Sequence, residues 1–265
     1  MTTIPRYLRS RAAILLLAAA AAPLAHAQTT VTSAPVGVMR ERLPHGLSGL
    51  ALPLVARDLA VAVVQASSAT AVAFPAGDLD PLALLSADGK YYLEVVAGPF
   101  EGERFDVDVP ATLAADDGTV ALAFGPHTFS TLPALDGGAL VGARLALRTH
   151  VTLAALQQMI SPPLAGPGRH SAGDRVLILE NEAFVPYSLR PDGLAWARRG
   201  SRLDFRDKVI PPDASVLLQI ASSRKRWTAT GLVRTNAFRK NLTPGFQSFA
   251  TGFPVPLSTQ DIGAF

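Results

Sequence analysis

Apolar residues in this chain come in short bursts closed off by Gly, Pro, Asp or Ser, a rhythm that suits strands and turns and leaves no room for long helices. In the first part of the chain the bursts are Val36 to Leu43, Leu59 to Gln65, Ala71 to Phe74, Tyr91 to Val96, Phe105 to Val109, Thr119 to Phe124 and Leu140 to Leu147. The second part has Arg175 to Leu179, Phe184 to Leu189, Leu194 to Ala197, Ser215 to Ile220, Trp227 to Val233 and Gly245 to Phe253. The spacing predicts an all-β fold of mainly antiparallel sheets, sandwich or barrel-like. Within it, Phe105 to Val109 alternates strictly, so Asp106 and Asp108 share one face and three apolar side chains the other. Asp88-Gly89 and Asp117-Gly118 sit where such strands would reverse.

One short helix is expected near residues 152 to 160. Thr152 can cap it, Leu153, Leu156 and Ile160 fall on one face, and Ser161-Pro162-Pro163 stops it. The Pro/Gly-rich run at 161–168 then marks the expected boundary between an N-terminal lobe, 28–150, and a C-terminal lobe, 151–265.

Residues 1–27 read as a signal peptide. Arg6, Arg9 and Arg11 precede a 13-residue apolar run from Ala12 to Leu24, too short to span a bilayer stably, and Ala25-His26-Ala27 has the small-x-small pattern of a cleavage site. The expected mature chain starts near Gln28 and is exported to the periplasm, the cell surface or the medium. No later apolar run approaches 18 residues, so no integral membrane segment is expected in it. The chain has no cysteine, which excludes disulfides, thiolate metal sites and thiol catalysis and leaves cohesion to the core.

Charge follows from the same division. The chain holds 24 Lys+Arg and 21 Asp+Glu, but Arg6, Arg9 and Arg11 belong to the leader, so the mature balance is zero and predicts no attraction to nucleic acid. Residues 28–150 hold 7 basic and 13 acidic residues, and 151–265 hold 14 and 8. Lobes of opposite sign attract each other within a molecule or head to tail between copies.

Two stretches resemble each other. Leu43 to Ala51 and Leu242 to Ala250 share L-x-x-G-Φ-x-x-Φ-A, with Φ large and apolar, and each is followed by proline, at Pro53 and Pro254. The physical reading is a glycine turn feeding a strand that packs one face and then leaves the sheet. Three further segments, Ala34-Pro35-Val36-Gly37, Tyr91-Tyr92-x-Glu94 with Gly98-Pro99-Phe100-Glu101-Gly102, and Arg234-Thr235-Asn236-Ala237-Phe238 followed by Gly252-Phe253-Pro254, resemble an uncharacterised family of secreted, β-rich bacterial proteins. Some of its members carry an exosortase-type C-terminal sorting tail. The resemblance implies export and supplies no activity, cofactor or catalytic residue. This chain ends at Gln260 to Phe265 without a hydrophobic helix or basic tail, so sorting by that route is not expected.

Chemistry is sparse. Ser48 lacks the glycine at 50 that a nucleophile elbow needs, since Leu50 stands there. His45, His127, His150 and His170 show no metal-ligand spacing. The carboxylate pairs Asp78/Asp80, Glu101/Glu103 and Asp116/Asp117 suit turns better than a glycosidase or a calcium loop. No catalytic, cofactor-binding or metal residue is assigned. The basic run Arg224-Lys225-Arg226, with Arg198, Arg199, Arg202 and Arg206, suggests a patch for an acidic glycan, with Tyr187, Trp196 and Trp227 as stacking faces; the simpler alternative is a solvated hairpin tip for the basic run and burial of the tryptophans. The ligand set so defined is Tyr187, Trp196, Arg198, Arg199, Arg224, Arg226 and Trp227.

The expectation is therefore an exported, non-enzymatic β-rich protein, structural or binding, at the surface, in the periplasm or in a matrix. Its expected partners are an extracellular polysaccharide or further copies of itself. The alternative is a secreted polysaccharide-acting enzyme or an acidic-glycan-binding module, the enzyme requiring two or more of Asp106, Asp108, Glu180, Glu182, Asp204 and His150 to converge in one cleft.

Overall fold

The computed structural model describes residues 35–75, 77–114, 121–125, 137–168, 172–212, 214–240, 244–245, 247–248, 250 and 252–254. The expected leader, Asp116-Asp117-Gly118, His127, His170 and the last eleven residues lie outside them. Seventeen strands run β1 (Val36–Leu43), β2 (Gly46–Ala51), β3 (Ala60–Val63), β4 (Ala66–Ser67), β5 (Ala71–Ala73), β6 (Tyr91–Ala97), β7 (Arg104–Asp106), β8 (Ala121–Ala123), β9 (Arg144–Thr149), β10 (Val151–Thr152), β11 (Ile160–Ser161), β12 (Arg175–Glu180), β13 (Ala183–Leu189), β14 (Trp196–Arg198), β15 (Val209–Ile210), β16 (Ser215–Ile220) and β17 (Lys225–Leu232). Three short helices, α1 (Pro81–Leu84), α2 (Val109–Ala114) and α3 (Leu153–Gln158), interrupt them. The fold is all-β, as the apolar rhythm predicts.

Among the described residues the strands form five antiparallel sheets, and none closes into a barrel: β1-β17-β11, β10-β15, β14-β13-β12-β16-β2, β3-β9-β6-β7 and β4-β5-β8. A bent two-stranded ribbon joins the first and third of these. Val36 to Leu43 pair with Leu232 to Lys225, and after a corner Gly46 to Ala51 pair with Ile220 to Ser215, so both strands leave one sheet and enter another. Such corners let a sandwich turn without losing its ladder. Gly46 makes this one possible, because its φ of 102° lies in the left-handed region that a side chain strains. The glycine turn read from the sequence at Leu43 to Ala51 is thus a sheet corner, with Leu50 packed inward.

Alternation puts one face of the β1-β17-β11 sheet and one face of the five-stranded sheet on a common core. Leu43, Ile160 and Trp227 from the three-stranded sheet meet Val176, Ile178, Tyr187, Leu189, Trp196, Val216, Leu218 and Ile220 from the five-stranded sheet, with Leu153 and Leu156 of α3 beside them. Thr152 caps α3 by accepting from the Ala155 backbone N–H at 3.3 Å. A second core lies entirely within residues 62–147, around Val72, Tyr91, Leu93, Phe105, Leu122, Leu145 and Leu147. Leu164, inside the run expected to separate the lobes, is buried in the first core, and residues 35–265 form one compact unit.

Three local expectations need correction. Phe105 and Val107 are buried and Asp106 and Asp108 outward as alternation requires, but the strand ends at Asp106 and Val109 opens α2. Asp108 caps that helix, accepting from Ala111 N–H at 2.9 Å, and Pro110 in the first turn costs no hydrogen bond. Gly89 does not reverse a strand pair; it clears the Tyr91 ring, which a Cβ would meet at 2.2 Å. Among the described residues of 245–253 no strand forms.

Candidate functional site

The outer side of the sheet corner collects cations. Antiparallel register places Arg42 directly opposite Arg226, and Arg226 opposite Ser161, all three on the exposed face of the three-stranded sheet. Arg40 lies two residues along β1 on the same face, about 7 Å away. With Arg224 from the corner loop, Arg42 and Arg226 line a cleft of about 600 Å³ whose other walls are Leu43, Pro44, Ser161, Pro162 and Lys225. Arg42, Arg224 and Arg226 are exposed, and none has an ion pair or hydrogen bond among the described residues. Like charges facing each other across a ladder oppose folding. An anion seated between them removes that repulsion.

A buried carboxylate lies behind the cleft. Asp174 is 1% exposed and ties the corner loop to Ala165: its Oδ1 accepts from the N–H groups of Ala221 and Ser222 at 2.9 and 3.1 Å, and its Oδ2 from Ala165 N–H and Ser222 Oγ at 2.7 and 2.9 Å. Lys225 Nζ lies 3.2 Å from the same oxygen and donates to Pro163 O at 2.7 Å. Burial pushes the Asp174 carboxyl up, but the hydrogen bonds from Ala165, Ser222 and Ala221 outweigh it and hold the group below its ordinary value of 3.8. The Asp174 carboxylate balances the Lys225 charge, and the net positive charge of the cleft resides on the three arginines.

The remaining expected ligand residues divide in two. Tyr187, Trp196 and Trp227 offer no stacking face, because each fills the first core with no more than 2% of its surface exposed; a large aromatic in the inward register of a sheet is worth more buried than displayed. Tyr187 hydrogen-bonds Glu180 at 2.7 Å, and burial first, then this carboxylate, raises its phenol far above its ordinary value. Arg198 and Arg199 line a second, separate cleft of about 420 Å³ with Arg175, Pro186, Ser188 and Ala197. Arg202 and Arg206 line neither, and Arg206 pairs with Asp204 at 2.5 Å.

The acid–base candidates scatter. Asp106 Oδ1 lies 2.9 Å from His150 Nε2, but the space beside His150 and Tyr92 is about 20 Å³, room for one water and not for a sugar. Glu180 binds Lys208 and Tyr187, each at 2.7 Å; burial raises its carboxyl and those two groups more than reverse the effect. Asp204 holds the Trp196 and Arg206 N–H groups, Asp108 caps α2, and Glu182 occupies an exposed turn at φ 64°. Asp80 accepts from Ala83 N–H at the start of α1, the role a turn carboxylate plays without calcium.

The stretches 91–104 and 234–239 come together elsewhere, as a structural clasp. After β17, residues 234–239 run across the β6–β7 hairpin. The buried Glu94 carboxylate is shared by Arg148 and Arg234 and accepts from Asn236 Nδ2 at 3.0 Å, and Arg148 also reaches Asp58 at 2.6 Å. Glu101 takes the Ala237 N–H at 2.8 Å, and Arg104 donates to Arg239 O at 2.5 Å while lying over the Phe238 ring. Burial lowers the Arg234 guanidinium from its usual range, which makes the shared carboxylate necessary. Sequence reasoning grouped these segments without finding the ion cluster, in which Glu94 and Asn236 lie 142 residues apart. The signal available was Glu94 and Arg234 standing in otherwise apolar surroundings.

Compared with family models, with curated proteins and with solved structures, the chain matches none. The fold and the two arginine clefts are accordingly what a functional reading has to rest on.

Proposed function

We propose that this protein is exported and acts without catalysis, holding an acidic polysaccharide in the arginine cleft at the sheet corner. The observation that carries the reading is the set Arg42, Arg224 and Arg226, three exposed guanidiniums around about 600 Å³ with no acidic partner among the described residues. That volume lies in the range of small-ligand pockets and suits two or three sugar units. Guanidinium forks bind carboxylate, sulfate and phosphate in two-point fashion, so the anionic substituents of the polymer supply the contacts. With the aromatic side chains in the core, recognition is by charge and hydrogen bonding, and is weakened by salt. The charged leader and apolar run of residues 1–27 support export, and the cysteine-free core suits any compartment outside the inner membrane.

The test is chromatography of purified protein on immobilised acidic and neutral glycans over a salt gradient. Retention is expected on acidic glycans alone, and substitution of Arg42, Arg224 and Arg226 by serine should reduce it to that of a neutral column. Equal elution from both columns at low salt, or unchanged retention of the triple variant, would sink the reading. Cell fractionation tests export separately: the protein should be found outside the cytosol without residues 1–27.

A further inference from the structure

The backbone of β1 offers a contact of a different kind from the corner cleft. β1 stands at the end of its sheet and is eight residues long. Among the described residues no other end strand is as long; β7, β11 and β14 have three, two and three residues. Hydrogen bonds on the far side of β17 fix which way the β1 amides face. Thr228 N–H donates to Met159 O at 2.8 Å, and Leu232 exchanges bonds of 2.9 and 3.0 Å with Val55, so the polar groups of Thr228 and Leu232 face away from β1. The ladder to β1 is therefore carried by Trp227, Ala229 and Gly231, opposite Glu41, Met39 and Gly37. The N–H and C=O groups of Val36, Val38, Arg40 and Arg42 point out of the open edge, with no hydrogen bond among the described residues.

The side chains of these same residues share the outer face. Val36 and Val38 are 72% and 59% exposed, and both arginines are exposed as well. Natural sheets blunt an open edge with proline, a bulge or a very short strand. β1 has no proline, and its register with β17 is unbroken from Val36 to Leu43. A second copy suits this edge badly. The outer face of β1 carries no carboxylate, so pairing β1 with itself sets its arginines against arginine or valine.

We propose that β1 receives an extended segment of a partner protein, which joins the sheet as an antiparallel strand with carboxylates beside Arg40 and Arg42 and apolar side chains beside Val36 and Val38. The added ladder supplies affinity, and the alternate side chains select the sequence. Because the incoming strand runs opposite to β1, its acidic residues precede its apolar ones. This contact uses the edge of β1 and stands whether or not a polysaccharide occupies the corner cleft.

The probe is a synthetic peptide in which threonine alternates with Glu, Glu, Val and Val in that order, and its control carries Lys in place of Glu. Amide NMR of the labelled free protein should show fast hydrogen exchange at Val36, Val38, Arg40 and Arg42 and slow exchange at Gly37, Met39 and Glu41. The Glu peptide should shift the first set and slow its exchange at least about tenfold, while the Lys peptide does neither. Val38→Pro removes one outward N–H and no ladder bond, so it should melt as a folded protein, elute from acidic glycans as wild type does, and lose the peptide. Arg40→Glu should reverse the preference between the two peptides. No response of the outward amides to the Glu peptide, an equal response to both peptides, or undiminished binding by Val38→Pro would overturn strand addition. Shifts confined to Arg42, Arg224 and Arg226 would assign the peptide to the corner cleft instead. A concentration-dependent dimer that protects the outward amides without peptide would overturn the partner in favour of a second copy.

Discussion

At the scale of single residues, two substitutions separate structure from function at the corner. Asp174 is lowered by its hydrogen bonds, and a carboxyl whose folded value is depressed adds stability that is complete above its unfolded value, here about 4, and is lost as pH falls through the folded value. The melting temperature should therefore hold from pH 7 down to about 4 and drop below it. Asp174→Asn leaves the Lys225 ammonium buried without a counter-charge, a loss of about 3–5 kcal/mol, and should show a lower melting temperature at pH 7 and a shallower acid decline. A variant as stable as wild type would mean the carboxylate does not hold the corner. Arg226→Ser should act in the opposite sense. Removing one of two facing cations should leave the free protein as stable or more so by up to about 1 kcal/mol, while salt-dependent retention falls. A drop in melting temperature with unchanged retention would show Arg226 to be structural.

At the scale of elements, the clasp is the feature most exposed to mutation. Gly102 sits at φ 92°, and a Cβ there would meet the Ala237 carbonyl oxygen at 2.9 Å and Arg239 Cγ at 3.1 Å. Gly102→Ala should therefore strain the turn before β7 and lift residues 237–239 from the hairpin. Limited proteolysis should then cut the variant near Arg234 or Arg239 much faster than wild type; equal rates would mean that the clasp does not depend on this approach. Strands such as β1 and β16 were legible to the residue, because period-two alternation is local. The helix α2 was hidden by that same alternation, although Asp108 followed by Pro110 is a helix-start signal. Tryptophan beside arginine looks alike on a binding surface and in a core strand, and the register of the sheet decides for burial at Trp196 and Trp227. Nothing local announces that Glu94 meets Arg148 and Arg234, since that contact is made by topology.

At the scale of the molecule, the question is what makes two cores one folding unit. Residues 56–149, which contain the second core, hold 5 basic and 12 acidic residues, and the rest of the chain after the expected leader holds 16 and 9. Attraction between these parts is a surface effect, long-ranged at about 0.01 M salt and nearly gone at about 1 M. The Glu94 cluster is different, because its carboxylate is buried and salt does not reach it. If the clasp is what joins the cores, calorimetry should give a single transition, with equal calorimetric and van't Hoff enthalpies, at both salt concentrations. Glu94→Gln leaves Arg148 and Arg234 buried beside a neutral amide, a loss of about 3–5 kcal/mol at the junction, and should split the transition in two. Two transitions in the wild type at high salt would instead assign the coupling to surface charge. A variant that still melts in one step would show that the clasp is not what couples the two cores.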